Sequence, residues 1–506
     1  MKLARTWSVA LAGVSGHLVS VEAHIAPGLP GATVIGLGDA AVVQARDRVR
    51  AAVQNSRYKW PETRITLALS PAALPKRGAG YDLALAIALL AAAGDVPAAD
   101  AARPILLGEL ALDGSVRPVH GVLPSLLTAR AAGRTSAVVP ADNLNEACLA
   151  DGMDVLGART LADLVHHLRG ESSALERQLQ RRPPDETPLP DMRDVIGQPE
   201  GRRALEIAAA GGHHLVMIGP PGAGKTMLAT RLPSILPALD DDQALEVTAV
   251  HSVAGILDDH TPLVTRPPFV DPHHSASVAA VIGGGSGLIR PGNASMAHRG
   301  VLFLDEAPEF RPTVLDALRQ PMESGVAVLA RASGVVRYPA RFQLVLAANP
   351  CPCAAALDIN CTCAPGVRRR YLARLSGPLL DRVDIRVELP ALGPADLAMA
   401  ADETPESSEE ILVRVVRARE RAAARWSGTT HRTNAEVSGP EIRRWWRPSG
   451  RSAALVDRAA EQGRLTGRGY DRVLRVAATC ADLAGRDTPE LPDVATALAL
   501  RCGEAA

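Results

Sequence analysis

The residues best suited to chemistry lie in one short segment, GPPGAGKT, which begins at residue 219. The segment consists of Gly219, Pro220, Pro221, Gly222, Ala223, Gly224, Lys225 and Thr226. Two glycines separated by four residues and followed by Lys and Thr fit the phosphate-loop pattern. In this pattern backbone N–H groups turn toward the phosphates, Lys225 reaches the β and γ phosphates, and Thr226 offers its hydroxyl to Mg²⁺. The segment therefore predicts a site for ATP and Mg²⁺.

A pair of acids supplies a second part of this site. The segment RGVLFLDEAPEF places an apolar run, residues 301–304, directly before Asp305 and Glu306. A buried strand would carry both acids to its C-terminal end. There Asp305 would hold the magnesium, and Glu306 would orient or deprotonate the attacking water. Another apolar run, QLVLAAN, ends at Asn349, whose amide would face the γ-phosphate or the water, or would serve only as a turn residue.

The elements that must position these side chains follow the pattern of an α/β fold. The apolar run 215–218 before the phosphate loop predicts a buried strand, and residues 227–232 after it predict a helix. The stretch between Thr226 and Asp305 is longer than one helix and one strand require. Its Gly/Ser-rich part, VDPHHSASVAAVIGGGSGLIRPGNASMAHRG, therefore predicts an insertion.

Two close pairs of cysteines follow the run that ends at Asn349: Cys351, Cys353, Cys361 and Cys363. Four thiolates can close a tetrahedral zinc site. The C-x-C spacing is tighter than the usual spacing of zinc ligands, so one zinc requires a sharply folded loop, and reduced free thiols are the alternative. The adjacent histidines at 213–214 and 273–274 are interpreted as core or loop residues rather than ligands.

Composition limits the classes of partner. Lys plus Arg equals Asp plus Glu, 55 each, so contacts with nucleic acid must come from local patches rather than from a global field. Five Trp, five Tyr and four Phe in 506 residues argue against a surface built on base stacking. Seven cysteines, several of them close together, favour a reducing compartment over a disulfide scaffold.

No segment predicts a membrane partner. The start, MKLARTWSVALAG, is basic with a modest apolar stretch, but the alternation that follows predicts a hairpin, and no cleavage context stands out. The longest apolar run, residues 83–94, is too short to cross a bilayer. We therefore expect a soluble, cytoplasmic protein.

The length predicts about three domains. Residues 1–168 mix strand patterns (GATVIGL, RITLALS, PILLGEL, SAVVP) with helical segments and predict one α/β domain. Residues 169–192 are polar and proline-rich and predict a linker. A nucleotide-binding core at 193–389 and a connection at 390–410 follow, and residues 411–506 have helical spacing without a strand signal.

Several motifs, taken in order, resemble one family: GLPGATVIGLGDAAV, LPKRGAGYDLALA, DVIGQPEGRRALEIAAAGGHHLVMIGPPGAGKT, DPHHSASVAAVIGGG, HRGVLFLDEAPEF, NPCPC and RYLARLSGPLLDRVDI. They resemble the magnesium-chelatase-like AAA+ ATPases of the competence-protein ComM type, over nearly the whole chain. The resemblance implies a Lon-protease-like (ribosomal-S5-type) α/β N-terminal domain, an AAA+ P-loop core and a helical C-terminal lid. It also implies a hexameric ring and an ATP-driven DNA helicase that migrates branched DNA while incoming DNA is integrated.

The resemblance gives roles to further residues of the core. Ile196, Gly197 and Gln198 resemble the segment that cups adenine, although they would also suit a simple approach to a helix. The insertion resembles one that lines the channel of the ring, and its GGGSG run would equally suit a flexible linker. The hairpin-like segment GVAVLARASGVVRYPARF offers three arginines to phosphates or only to solvent: Arg331, Arg337 and Arg341.

Arginines that act between subunits are also implied. Arg382, in LLDRVD, occupies a position that resembles an arginine finger, which stabilises charge on a neighbour's γ-phosphate, and Arg374 is the competing candidate. In the lid, Arg468 resembles the residue that senses nucleotide, with Arg475 as the runner-up. The resemblance implies a homo-hexamer, and if an arginine must come from the next subunit, a monomer cannot turn over ATP efficiently.

A motor acting on single-stranded and branched DNA, beside other recombination proteins in recombination and natural transformation, is the favoured function. Arginine runs at 368–370 and in RRWWRPSGR agree with it, and there Trp445 and Trp446 would pack or stack. The alternatives are a chelatase-type ATPase that inserts Mg²⁺ into a porphyrin and a protein-remodelling ATPase. Proteolysis is not expected, because PKRGAGYDLALA holds no serine nucleophile and Ser70 with Lys76 has the wrong setting.

Overall fold

The computed structural model of the chain describes residues 2–36, 38–171, 174–177, 188–258, 262–285, 289–331, 334–355, 361–391, 393 and 405–503. Two large sheets and a C-terminal group of helices account for most of these residues. None of the helices in the described ranges has the length and hydropathy that spanning a bilayer requires.

The described residues of the N-terminal part form nine strands: β1 (Lys2–Ala12), β2 (Ser15–Ala26), β3 (Gly31–Ile35), β4 (Arg64–Ser70), β5 (Ile105–Leu106), β6 (Glu109–Leu110), β7 (Val116–Arg117), β8 (Ser136–Pro140) and β9 (Asp154–Ala158). Seven of them form one sheet in the order β3-β4-β2-β1-β5-β8-β9. The hairpin predicted near the start is confirmed, because β1 and β2 pair antiparallel along their whole length. The predicted strand PILLGEL divides in two because β5 pairs with β1 and β8, whereas β6 pairs with β7.

Six helices pack on this sheet: α1 (Ala40–Asn55), α2 (Asp82–Ala93), α3 (Ala98–Ala101), α4 (Val122–Ala131), α5 (Leu144–Ala147) and α6 (Leu161–Leu168). A 3-10 turn, Ala141–Asn143, precedes α5. Helix α2 is the apolar run noted in the sequence, and it is buried in the core of this part of the chain, where apolar side chains all around a helix belong. Its buried carboxylate, Asp82, accepts two hydrogen bonds from Arg48, at 2.7 and 3.0 Å.

The second sheet has five strands: β10 (Leu215–Ile218), β11 (Phe269–Val270), β14 (Val301–Leu304), β17 (Gln343–Ala348) and β18 (Ile385–Glu388). They lie in the order β11-β14-β17-β10-β18, and every neighbouring pair is parallel. The runs predicted as buried strands at 215–218, 301–304 and 343–348 are confirmed. Because all the strands run the same way, the residues that follow them meet at one edge of the sheet.

Two small hairpins lie beside this sheet: β12 (Gly283–Gly284) with β13 (Arg290–Pro291), and β15 (Val326–Arg331) with β16 (Gly334–Pro339). The helices of this part are α7 (Pro199–Gly211), α8 (Lys225–Arg231), α9 (Asp241–Ala254), α10 (Val278–Ile282), α11 (Asn293–Met296), α12 (Pro312–Ala317), α13 (Arg319–Ser324), α14 (Pro365–Leu372) and α15 (Gly377–Leu380). Three 3-10 turns accompany them: Met192–Asp194, Leu232–Ile235 and Ala307–Glu309. The predicted insertion thus contains α10 and the β12–β13 hairpin. Residues 286–287, the last two of its GGGSG run, and Leu288 lie outside the described residues.

Residues 405–503 form helices and the turns between them: α16 (Ser408–Arg425), α17 (Gly439–Trp445), α18 (Gly450–Glu461), α19 (Gly467–Leu483) and α20 (Leu491–Cys502), with a 3-10 turn at Asn434–Glu436. Helix α19 is tied to the five-stranded sheet at two buried points. His213 lies 2.8 Å from the hydroxyl of Thr479, and Arg472 pairs with Asp384. The helices therefore pack against the end of the sheet at which β10 and β18 begin.

The seven-stranded sheet and the nucleotide-fold part also touch. The N–H of Gly121, at the start of α4, donates to the carbonyl of Ser252 in α9 at 3.3 Å, and the Ser252 hydroxyl bonds Glu146. Part of the predicted linker is ordered against the first sheet, because Glu176 forms a β-bridge with Gly157. Residues 172–173 and 178–187 of that linker lie outside the described residues.

Candidate functional site

The phosphate loop follows β10 and ends where α8 begins. Gly222 and Gly224 have φ angles of +79° and +85°, which suit glycine, so the loop can turn its backbone inward. Gly219 is needed for a different reason. A Cβ atom there would lie 2.5 Å from the carbonyl oxygen of Leu389, just past the end of β18. The loop is therefore packed directly against the neighbouring strand.

Lys225 is buried at the centre of this loop. Its ammonium group donates to the carbonyls of Gly219 and Pro220 at 2.6 and 2.9 Å and to the side-chain oxygen of Asn349 at 3.0 Å. Burial lowers the pKa of Lys225. The structure thus brings together Lys225 and Asn349, which lie 124 residues apart in the chain. Asn349 faces the phosphate loop and does not serve merely as a turn residue.

Thr226 and Asp305 meet beside Lys225. The Thr226 hydroxyl donates to Asp305 Oδ2 at 2.7 Å, and the other carboxylate oxygen accepts the backbone N–H of Glu306 at 2.8 Å. A hydroxyl and a carboxylate oxygen are the hard oxygen ligands that Mg²⁺ prefers beside nucleotide phosphates. The donor set of the described residues therefore fits a magnesium ion.

Glu306 lies on the solvent side of the same edge, with φ of +49°. Its carboxylate approaches the ring of His274, with 3.4 Å between Oε2 and Nδ1, and the rings of His273 and His274 are 4.1 Å apart. Sequence reasoning did not predict this contact. The signal was the position of DPHH immediately after β11, which is the strand next to β14, so the residues after both strands lie at one edge.

The segment resembling an adenine cup lies on the other side of the phosphate loop. Ile196 is 40% exposed, which leaves an apolar surface there. Gln198 is buried, with a left-handed φ of +52°, and its amide donates to the carbonyls of Ala223 and Pro390 at 3.1 and 2.8 Å. Gln198 therefore fastens the phosphate loop to the end of β18, while Gly197 (φ +71°) turns the chain before it.

The two candidates for an arginine finger lie in different settings. Arg382 is mostly buried, pairs with Glu323 and donates to the carbonyl of Pro378 at 2.6 Å. Arg374 is half exposed and donates to the carbonyl of Pro308 and to Glu309, both at 3.1 Å. Arg374 is thus close to the chain that follows the acid pair, whereas Arg382 precedes β18 and lies at the opposite edge of the sheet.

A cavity of about 530 Å³ opens at that opposite edge. Its lining includes Gly300 and Gln343, where β14 and β17 begin, together with Arg382 and Arg475. The buried Nε–H groups of both arginines lack a hydrogen-bond partner among the described residues. Arg468, at the start of α19, is exposed, and its side chain makes no hydrogen bond or ion pair within the described ranges. In the described chain neither Arg382 nor Arg475 faces its own phosphate loop.

The four cysteines after Asn349 form one compact cluster. Their sulfur atoms all lie within 4.8 Å of one another, and none of them forms a disulfide. Arg368, in α14, donates to the sulfur of Cys361 at 3.3 Å and lowers the pKa of that thiol to about 6. The four sulfurs therefore lie as close together as a single-ion site requires.

Other residues singled out in the sequence lie on or under the surface. The β15–β16 hairpin is confirmed, and its three arginines, Arg331, Arg337 and Arg341, are exposed. Trp445 packs instead of presenting a face to bases, because it lies against Trp426 at 5.7 Å and under the Arg425 guanidinium at 4.4 Å. The buried Lys76 donates to the carbonyl of Pro71, and no hydrogen bond within the described ranges joins it to Ser70.

The parallel sheet, the phosphate loop after β10, the acid pair after β14 and the polar residue after β17 define the core as a P-loop ATPase fold of the AAA+ class. Three sequence profiles match the chain: "Magnesium chelatase, subunit ChlI" over residues 191–397, "Subunit ChlI of Mg-chelatase" over 21–143, and "Magnesium chelatase, subunit ChlI C-terminal" over 405–501. The chain belongs to the magnesium-chelatase-like family, within its ComM type.

Relatives support the same assignment. An uncharacterized protein of Mycobacterium tuberculosis is 56% identical over 503 residues, 99% of either chain. Competence protein ComM of Haemophilus influenzae is 41% identical over 507 residues, which is 99% of this chain and 98% of that protein. The magnesium-chelatase 38 kDa subunit of Rhodobacter capsulatus is 28% identical over 173 residues, which is 31% of this chain and 49% of that protein.

Proposed function

We propose that this protein is an ATP-driven DNA motor that unwinds and migrates branched DNA in recombination and natural transformation. The single observation that carries the ATPase part is the cluster formed by Lys225, Asn349, Thr226 and Asp305 at one sheet edge. The choice of DNA as substrate is supported by the full-length likeness to a protein named for competence. We place its action in the cytoplasm, as the sequence led us to expect.

Each side chain of the cluster has a role in ATP cleavage. Lys225 would exchange its loop carbonyls for the β and γ phosphates, as phosphate-loop lysines do. Thr226 and Asp305 would hold Mg²⁺, which when bound offsets the charge of the phosphates. Glu306, exposed at the same edge, would orient or deprotonate the attacking water, and His274 would hold the Glu306 carboxylate in place. Asn349 would contact the γ-phosphate, and Ile196 with Gly197 would face the adenine.

A hexameric ring would complete the site. Arg382 and Arg475 line one cavity at the edge of the sheet that lies opposite the phosphate loop, and their Nε–H groups are unpartnered among the described residues. An arginine in that position can act only on a nucleotide held by another subunit, where it would stabilise the charge of the transition state. Arg374 and Arg468 are the other candidates for contacts across the boundary. The helices α16–α20 would then form a lid between neighbouring sites.

Mixing two inactive variants tests this arrangement. Lys225→Ala removes the phosphate contact but keeps Arg382, whereas Arg382→Ala keeps the phosphate loop but supplies no finger. Mixed rings would contain some boundaries at which an intact loop meets an intact Arg382, so mixing should raise the ATPase rate above that of either variant alone. Size measurement and labelling would verify that the subunits exchange in the mixtures. If they exchange and the ATPase rate still does not rise, a trans role for Arg382 is contradicted.

Contacts with DNA are proposed for two arginines of the β15–β16 hairpin, Arg331 and Arg337, because both are exposed. The N-terminal sheet would serve as a Lon-protease-like (ribosomal-S5-type) platform without protease chemistry, for assembly or DNA binding. Arg337 is close to this platform, because a Cβ at Gly13 would lie 2.5 Å from its carbonyl oxygen. DNA bound at the hairpin would therefore lie near the platform, and other recombination proteins remain proposed partners.

The deciding experiment measures ATPase activity with no DNA, with single-stranded DNA and with a four-way junction, followed by strand displacement on a labelled fork. We expect stimulation by DNA, displacement that requires ATP, loss of both in Lys225→Ala, and binding that weakens steeply with salt because phosphates dominate it. An ATPase that is indifferent to every DNA would refute the motor.

A chelatase-like or protein-remodelling ATPase is the second candidate. It is favoured by the 28% identity to a magnesium-chelatase subunit. That likeness covers only 31% of the chain, whereas the likeness to the competence protein covers 99%, so we rank this function below the motor. ATPase activity that responds to a porphyrin or to a protein partner, but not to DNA, would select it.

A further inference from the structure

The cysteine cluster consists of two C-x-C pairs brought together at the exit of β17. Three of its sulfur–sulfur distances are short: 3.2 Å between Cys351 and Cys353, 3.5 Å between Cys353 and Cys361, and 3.4 Å between Cys361 and Cys351. The sulfur of Cys363 lies within 4.8 Å of the other three. Cys351 is buried, Cys353 is exposed, and the other two are half-buried.

We propose that these four cysteines bind a single zinc ion that clamps the loop between β17 and α14. A tetrahedral ion with Zn–S bonds of about 2.3 Å separates its ligand sulfurs by about 3.8 Å, which is close to the distances in the cluster. Disulfides require a far shorter separation, about 2.0 Å. An iron–sulfur cluster would place several ions and sulfides between the cysteines, and the observed sulfurs are too close together for that.

The backbone of the loop is shaped around the sulfurs. Ala354 takes a left-handed conformation, φ +50°, and its N–H donates to the carbonyl of Cys351 at 3.2 Å, which closes the turn of the first pair. A non-glycine residue in that conformation costs about 1–2 kcal/mol, so something must hold it there. The next N–H, of Ala355, points to the sulfurs of Cys351 and Cys353. Metal-bound thiolates accept such hydrogen bonds as part of their outer shell.

A cation beside the cluster fits the charge of the proposed site. Zinc with four thiolates carries a net charge of −2, and Arg368 lies on α14 with its Nε 3.3 Å from the sulfur of Cys361. Such outer-shell partners orient metal ligands. The same helix ends just before Arg374, which bonds Glu309 after the acid pair, and the loop begins two residues after Asn349. The zinc would therefore fix the spacing between Asn349 and α14.

Metal analysis of the full-length protein, purified without chelator, tests the proposal. We expect about one zinc per chain by plasma mass spectrometry. The extended X-ray absorption fine structure of the zinc should show four sulfur ligands at about 2.3 Å. Cys361→Ser with Cys363→Ser should reduce the zinc at least fivefold. The matched control, Cys502→Ser, changes a half-buried cysteine far along the chain and should retain the full amount. Iron in place of zinc, or a protein with all seven thiols titratable and no metal, would overturn the proposal.

A second measurement avoids variants that fail to fold. The thiols of the native protein are modified stepwise with a mercurial reagent, and a colorimetric chelator measures the zinc that is released. The amount of zinc released should rise with the number of modified thiols and be complete when four have reacted. Release without any dependence on thiol modification would contradict cysteine ligation. Neither measurement uses ATP or DNA, so zinc without DNA-stimulated ATPase would reject only the motor, and a motor without zinc would reject only this inference.

Discussion

Replacing Glu306 by Gln should separate ATP binding from ATP cleavage. The carboxylate is 52% exposed, and its contact with His274 is long, 3.4 Å, so the isosteric amide should leave the fold and the phosphate loop intact. Loss of a positioned base typically costs a factor of about 10²–10⁴ in rate, which corresponds to about 2.7–5.5 kcal/mol in the activation free energy. We therefore expect kcat to fall by at least 100-fold while ATP affinity changes by less than about threefold.

His274 provides a second arm of the same test. Its contact with Glu306 is partly exposed, and such pairs contribute up to about 1 kcal/mol, so His274→Ala should lower kcat by about fivefold at most. Because His274 would act only through Glu306, the double variant should be no slower than Glu306→Gln alone. Additive losses in this cycle would show that His274 acts independently.

The assay combines phosphate release at saturating ATP with binding of a fluorescent ATP analogue. Glu309→Gln is the matched control, because Glu309 is an acid three residues away that pairs with Arg374 instead of facing the phosphate loop. It should retain at least about a fifth of the wild-type rate, since exposed ion pairs contribute about 1 kcal/mol or less. Equal losses in the two Gln variants, or near-normal turnover in Glu306→Gln, would refute the role given to Glu306.

Three further outcomes are expected. Thr226→Ala should raise the Mg²⁺ concentration needed for half-maximal ATPase activity about tenfold, since one ligand hydroxyl contributes about 1–2 kcal/mol. Thr226→Ser, which keeps a hydroxyl, should restore the wild-type concentration. The same Mg²⁺ requirement in both variants would contradict the ligand role. Gln198→Ala should lower the free energy of unfolding in denaturant by about 2 kcal/mol, because two buried carbonyls lose their donor. An unchanged midpoint of unfolding would contradict the role of Gln198 in holding the phosphate loop to the end of β18. Burial lowers the pKa of His214, whose Nδ1 accepts the N–H of Leu344, to about 4. Between pH 6.5 and 4 the unfolded chain therefore takes up a proton that the folded chain does not. The free energy of unfolding, measured by chemical unfolding, should fall by up to about 3 kcal/mol as the pH drops through that window. The fall should be smaller in His214→Gln.

The phosphate loop and the acid pair were predicted residue by residue, because each is defined by a local pattern at the end of an apolar run. Asn349 was left open between a site residue and a turn, because its role depends on which strand lies beside β10. The sheet order brings Asn349 to Lys225, since β17 lies between β14 and β10, and its role toward the γ-phosphate stays a prediction. His274 was missed for the same reason, because the two-residue strand β11 gives almost no signal in the sequence.

Other differences come from packing. Trp445 had been left between packing and stacking on bases, and it packs because Arg425 and Trp426 cover its ring. Arg382 was singled out by its motif, yet whether it is exposed depends on Glu323, which lies 59 residues earlier in the chain. The roles of Arg382, Arg374, Arg468 and Arg475 stay predictions.

By itself, the sequence determined the candidates: which residues have the chemistry to hold phosphates and magnesium, and which apolar runs must become buried strands. It could do so because a phosphate loop and a strand-end acid pair each depend on neighbours within a few residues. Only the tertiary structure decided which of these residues meet. Parallel strands far apart in the chain are brought side by side by burial of their apolar faces. The pairing of β10 with β17 places Asn349 against Lys225, and the pairing of β11 with β14 places Glu306 beside His274.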